Sequence, residues 1–442
     1  MNRSAVAATA FAFLIAMVGT TIPTALYPIY ADHLGFSSLT VTVLFAVYAC
    51  GVFVALLLFG TLSDQIGRRP VLVAALVFAI VSAAVFLAPA SLATLISGRV
   101  LSGVSAGLMT GAGTAAIVDL FPTERRAGAG ALAVAVNSGG LGIGNVMGGV
   151  IADVSSSPLV VPFVAHLVLA GLALLCVQRY GQAPGPRRGW RPRVQRLRVP
   201  AEIRGAFARG ALAAGAGFAS SGVLTAVTGL FLANDLYLHA HWLTGFVVFV
   251  VFASVASGQL LARRIAQRAA LPAACLGMVV ASGFVAWALA GPALAPLIVS
   301  AVCVGVSCGV SMNVALATTV ELVPMAFRGG VSSAFFTVIY VMLAFPAIGV
   351  GVLADSLGLR DAGLIFAGLV AALAAGVGIA DYFHIERQTL GGSRRDEPTE
   401  PRLQRALQRR QHQTDRPVVD GGGHIQRQEL EGRRRGDLSD PQ

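Results

Sequence analysis

The chain contains no lysine: all 32 basic residues are arginine, a skew we read as coding bias toward GC-rich codons and not as a functional feature. Charge of either sign is scarce. Charged residues make up 12% of the 442 positions and hydrophobic ones 56%, whereas a soluble globular chain carries about 25% charged residues. With a mean hydropathy of +0.75, that shortage argues against an ordinary soluble domain of this length. Cysteine is also sparse. Cys50, Cys176, Cys275, Cys303 and Cys308 all fall in apolar stretches, and no CxxC occurs. An odd count in that setting points to packed thiols, not to a disulfide framework or a metal site. No GxxxxGK[ST] loop occurs, which argues against direct ATP drive. No nucleophile–base pair marks an integral enzyme, and neither a metal nor any other cofactor is expected.

Long apolar runs are abundant. A helix needs about 20 apolar residues to cross the hydrocarbon layer. Such windows lie near 5–29, 40–60, 71–89, 92–118, 127–151 and 158–178, and again near 207–232, 241–261, 272–291, 294–319, 330–353 and 362–382. The first is longer than the apolar region of a signal peptide and reads as a membrane segment. The expected fold is therefore all-α, a polytopic membrane protein of twelve helices.

The net charge of +11 is placed where membranes, not nucleic acids, would meet it. Residues 385–442 hold 12 Arg and 10 acids; the body holds 20 Arg and 11 acids, almost all in short connections between apolar segments. Anionic lipid headgroups are the expected partner there. With the N-terminus inside, 18 of the body's 20 arginines fall on the cytoplasmic side, leaving Arg360 outside and Arg99 within a segment. The rule that positive loops stay inside then predicts a multi-pass protein of the plasma (inner) membrane, with both termini cytoplasmic.

Four regions are expected: 1–178 and 206–384 as six-helix bundles, 179–205 as a basic cytoplasmic linker with eight Arg and four Pro, and 385–442 as a disordered cytoplasmic tail. The bundles are linked by an internal repeat. Gly103-Val-Ser-Ala-Gly107 recurs as Gly305-Val-Ser-Cys-Gly309. Asp119-Leu-Phe-Pro122 recurs as Glu321-Leu-Val-Pro324, with Arg126 matched by Arg328, and Gly149-Val-Ile-Ala-Asp153 recurs as Gly351-Val-Leu-Ala-Asp355. All are offset by 202 residues with an even number of segments between copies, so the halves are parallel repeats about an axis normal to the membrane.

Four motifs carry chemistry. After the second segment stands Gly60-x-x-x-Asp64-x-x-Gly67-Arg68-Arg69. Its glycines permit a tight reversal, and a helical turn would bring Asp64 to Arg68, four residues on. The fourth segment reads Leu95-Ile-Ser-Gly-Arg99-x-x-x-Gly103-x-x-x-Gly107, with Arg99 an isolated charge at membrane depth. The fifth has Gly140, Gly144 and Gly148 on one face, with Asn145 and Gly149 beside them. Ser254-x-x-x-Gly258 on the eighth segment is the expected partner of that face. The first segment reads Gly19-Thr-Thr-Ile-Pro23 and leads to Tyr27 and Pro28.

On these motifs the chain resembles the major facilitator superfamily over roughly residues 5–382, and most resembles its twelve-helix drug/proton antiporter branch. The resemblance implies that Asp64, Arg68 and Asp119 form a cytoplasmic latch, with Gly60, Gly67 and Arg69, closing against the eleventh helix near Arg328. It implies a proton-coupling role for Arg99 and an antiporter signature on the fifth helix, where Asn145 replaces the usual Pro. The second half keeps Arg263 and Arg264 but no matching Asp. Asp32 and His166 are the other coupling candidates, and no carboxylate stands at mid-membrane depth. Tyr27, Asn137, Asn313 and Tyr340 are candidates for a substrate cavity. Each motif also has a structural reading: a topology anchor, an arginine satisfied by carbonyls, generic helix packing, a packed histidine. The expected activity is proton-coupled export of small drug-like or metabolite molecules by a monomer. Uptake of a sugar or organic acid, or a non-transporting receptor or scaffold, remain the alternatives.

Overall fold

Backbone amides crossing lipid must pair within their own segment, so long apolar runs joined by short polar connections fold as helices. The computed structural model describes residues 2–60, 62–181, 199–321, 323 and 325–395, with the backbone alone at 320–321, 325–329 and 387–395. Most of the basic linker and of the tail thus lies outside the described residues.

The helices run α1 (Arg3–Ala25), α2 (Tyr27–Leu34), α3 (Ser38–Phe59), α4 (Leu62–Ile66), α5 (Arg68–Phe86), α6 (Leu92–Asp119), α7 (Arg126–Val154), α8 (Val161–Tyr180), α9 (Arg204–Asn234), α10 (His241–Leu261), α11 (Gln267–Ala290), α12 (Leu294–Glu321), α13 (Met325–Leu357) and α14 (Leu359–Arg395). No strand occurs among the described residues. All but α2 and α4 are long and apolar enough to cross a membrane, which makes twelve. Met1–Ile385 form one compact body, which holds the site.

Local chemistry sets the breaks. The first apolar window is two helices. Pro23 ends α1 within a turn, the Leu26 N–H bonds back to the Pro23 carbonyl at 3.1 Å, and α2 restarts with Pro28 in its first turn. A missing N–H costs nothing at that position. Ser37 caps α3, and Ser91 with Thr94 forms a capping box for α6.

Within each half, small residues let backbones meet. Gly103 and Gly107 of α6 lie on α3, and their repeat copies Gly305 and Gly309 of α12 lie on α10. The halves meet along two seams, α7 on α10 and α13 on α3. The repeat relates these seams, since α7 and α13 are copies and α3 and α10 each stand second in their half.

The fifth-segment expectation needs one correction. Gly140, Gly144 and Gly148 face α1, not α10: a Cβ at Gly144 would stand 2.2 Å from the Val18 carbonyl oxygen. Gly258, in turn, faces Val306 of α12. The glycine stripe therefore packs inside its own half, and α10 is met by a different side of α7.

Candidate functional site

At one end of the body, the chain between α3 and α5 gathers the charged cluster. Gly67 has φ 96°, a left-handed conformation that side chains disfavour, and it turns the chain from α4 into α5. Arg68 lands in reach of both acids: it donates from Nη1 to Asp64 and from Nε to Asp119 Oδ2 at 2.9 Å. Its Nη1 also reaches Ser63 Oγ at 2.7 Å. The Asp64–Arg68 pair thus bridges two helices rather than one turn of a single helix. Gly60 has an ordinary helical φ of −56° and borders a cleft instead of making the reversal. Arg69 donates to the Gln178 carbonyl, tying α5 to the end of α8. These contacts all stay within the first half. Arg328 lies on α13, but its side chain is outside the described residues. In the second half, Arg263 donates from Nη1 to the Ala127 carbonyl at 3.1 Å, across the halves and without an acid.

Between the halves lies a cavity of about 120 Å³. The first half contributes Thr20, Thr24, Tyr48, Arg99 and Asn137; the second contributes Ser221, Gln259 and Tyr340. Phe218, Phe252 and Phe336 supply aromatic faces. The hydroxyls of Thr24 and Ser221 are buried there without a hydrogen-bond partner among the described residues. Such a mix of apolar wall and a few convergent polar groups suits a small-molecule site.

Arg99 is the one charged residue in the lining, 1% exposed, and it has no carboxylate partner among the described residues. Its charge is met by dipoles and a ring. Nη1 donates to the Thr20 carbonyl at 2.6 Å and Nε to the Leu44 carbonyl at 3.3 Å. The guanidinium stands 4.5 Å from the Tyr48 ring centre and 5.9 Å from that of Tyr27.

The other candidates divide. Asn137 and Tyr340 line the cavity; Tyr27 is buried beyond Arg99, and neither Tyr27 nor Asn313 is among the lining residues. His166 is buried against Gly19, with Nδ1 unpartnered, in a small void shared with Ser82, Ser102 and Ser105. Asp32 is exposed on α2. Asn145 is fully buried and donates to the Leu141 carbonyl at 3.0 Å. Tyr48, Gln259 and Ser221 were not singled out from sequence, because neutral polar residues scattered through apolar helices carry no spacing signal.

A second, wider cleft of about 210 Å³ opens at the end that bears the Arg68 cluster, between Gly60, Gly111, Ser332 and Thr337. Phe336 borders both the cleft and the cavity.

Twelve apolar helices, with a buried cavity walled by both halves, define a polytopic membrane protein. The chain belongs to the Major Facilitator Superfamily, whose sequence profile matches residues 9–347; this is a family of membrane transporters, not of enzymes. It is similar to the tetracycline resistance protein, class C, of Escherichia coli, with 38% identity over 133 residues, 30% of this chain and 33% of that protein. It is also similar to the quinolone resistance protein NorA of Staphylococcus aureus, with 30% identity over 145 residues, 32% of this chain and 37% of that protein. The matches span about a third of the length of these relatives. Among solved structures, a bacterial homolog to the human lysosomal transporter Spinster, in an inward-facing and unoccupied conformation, shares the fold. Its TM-score is 0.67 at 13% identity, over 86% of this chain and 97% of that one.

Proposed function

We propose that the protein exports small, partly apolar molecules across a bacterial-type inner membrane by alternating access, driven by proton entry. The carrying observation is the cavity shared by both halves, with its orphan hydroxyls, aromatic faces and single guanidinium. The arginine-rich connections, by the rule that positive loops stay inside, support a reading in which the end of the Arg68 cluster and both termini face the cytoplasm. The cleft then admits cargo from the cell interior. The likeness to two drug-resistance proteins supports export over uptake. The halves would rock about the cavity as rigid bundles, the Arg68–Asp64–Asp119 cluster latching the cytoplasmic side when the cavity faces out.

The lining charge favours neutral or anionic cargo, because an Arg99 guanidinium without a counter-ion repels a cation in a low-dielectric cavity. Proton coupling rests on Arg99, with His166 the other buried titratable candidate; Asp32 is too exposed to serve as a buried carrier. Inside-out vesicles carrying the protein, under an imposed pH gradient, test the proposal. Gradient-dependent accumulation of a fluorescent amphiphile supports export; accumulation only in right-side-out vesicles replaces it with uptake. Transport in neither orientation, with partner binding retained, leaves a receptor or scaffold.

A further inference from the structure

The end of the body opposite the Arg68 cluster is bridged by two carboxylates, Asp153 and Asp355. Asp153, near the C-terminus of α7, accepts from the His241 N–H at 3.0 Å and the Trp242 N–H at 2.7 Å, the first amides of α10. His241 Nδ1 also lies 2.7 Å from Asp153 Oδ1. Asp355, near the C-terminus of α13, accepts from the Leu39 N–H at 3.2 Å, in the first turn of α3. Each contact joins one half to the other. Asp153 and Asp355 are the same position of the internal repeat, 202 residues apart, and the helices they reach are likewise second in each half.

The repeat also supplies the room. A Cβ at Gly149 would stand 2.3 Å from the His241 carbonyl oxygen, and one at Gly351 would stand 2.0 Å from Thr42 Oγ1. A glycine four residues before each aspartate thus lets the partner helix come close enough for its first amides to be reached. The first amides of a helix have no intrahelical acceptor, and a carboxylate there both pairs with them and meets the positive end of the helix dipole.

From this geometry, and resting on the transport reading above, we propose that Asp153 and Asp355 are positioning residues for the transport cycle. They form a pseudo-symmetric pair of clamps that holds the outer face shut while the cavity is open to the cytoplasm, and both must release for the cavity to face outward. The clamps are unequal. The residue at the N-cap of α10 is Ala240, whose side chain cannot cap, so Asp153 alone serves the first amides of that helix. In α3, Ser37 already accepts from Thr40, so Asp355 only adds to an existing cap.

The test needs no cargo, so its failure is distinct from failure of the transport reading. A cysteine at cavity position Thr24, in a chain whose five native cysteines are replaced by serine, is labelled by a membrane-impermeant thiol reagent from either face of sealed vesicles. Asp153→Ala is expected to raise labelling from the outer face about five- to tenfold, Asp153→Asn to raise it less, and Asp355→Ala to raise it about twofold. The double variant should be at least multiplicative. Labelling from the cytoplasmic face should fall in step, which separates release of a gate from misfolding, since misfolding raises both. Outer labelling unchanged in both single variants overturns the proposal, as does a rise on both faces or an Asp355 effect larger than that of Asp153.

Discussion

Arg99 poses the sharpest energetic problem in the molecule. An arginine at the centre of a membrane helix costs about 2.5–3.5 kcal/mol on insertion scales. Here two carbonyls and the Tyr48 ring offset that cost without neutralising the charge. A desolvated cation–π contact is worth about 2 kcal/mol, so Tyr48→Leu should lower the thermal unfolding temperature in detergent while Tyr48→Phe, which keeps the ring, should not. The functional prediction is separate. Arg99→Ala should abolish proton release triggered by adding substrate to the purified protein, followed with a pH-sensitive dye. Unchanged release removes Arg99 from the coupling mechanism. Arg99 was visible in the sequence because one charge in a long apolar run stands out. Its setting was not: the two carbonyls come from α1 and α3, and backbone acceptors leave no trace in residue identity.

At the scale of single helices, α7 shows what a glycine pattern can and cannot tell. Three glycines spaced by four announce a close helix crossing, but the spacing names no partner, and the stripe packs on α1 instead of α10. Chain order favoured neither choice, since only the packing of all twelve helices decides which neighbour lies on which side. The same helix provides a controlled test. A Cβ at Gly144 would overlap the Val18 carbonyl oxygen, while one at Gly139 meets nothing within 4 Å. Gly144→Ala should therefore destabilise the protein by about 1–3 kcal/mol through overpacking. Gly139→Ala should be neutral or slightly stabilising, because alanine is the better helix former by about 1 kcal/mol. Thermal unfolding of the two variants in one detergent measures both, and equal midpoints would remove the close α1–α7 contact.

For the whole molecule, the number and order of membrane helices were legible because bilayer thickness imposes a length that apolar runs must match. The 202-residue offset revealed the duplication for a similar reason: Gly, Pro and Asp at fixed intervals mark close contacts and helix ends that both halves reuse. Beyond Arg99, Asn137 and Tyr340, what escaped the sequence was the rest of the cavity wall, assembled from neutral residues on helices far apart in the chain. Orientation is the remaining property of this scale, and the arginine asymmetry makes it testable. Arg125 lies at the end of the Arg68 cluster, between α6 and α7, and Ser156 lies at the other end, after α7; both are exposed. A single cysteine at each position, in a chain otherwise free of cysteine, should react differently with an impermeant reagent added to intact cells. Ser156→Cys should label at once, and Arg125→Cys only after the membrane is opened. The reverse pattern would turn the molecule over, direct the cleft outward and convert the proposed exporter into an importer. Labelling of both positions from the same side would mean that α7 does not cross the membrane, and the duplication itself could not then stand as two parallel halves.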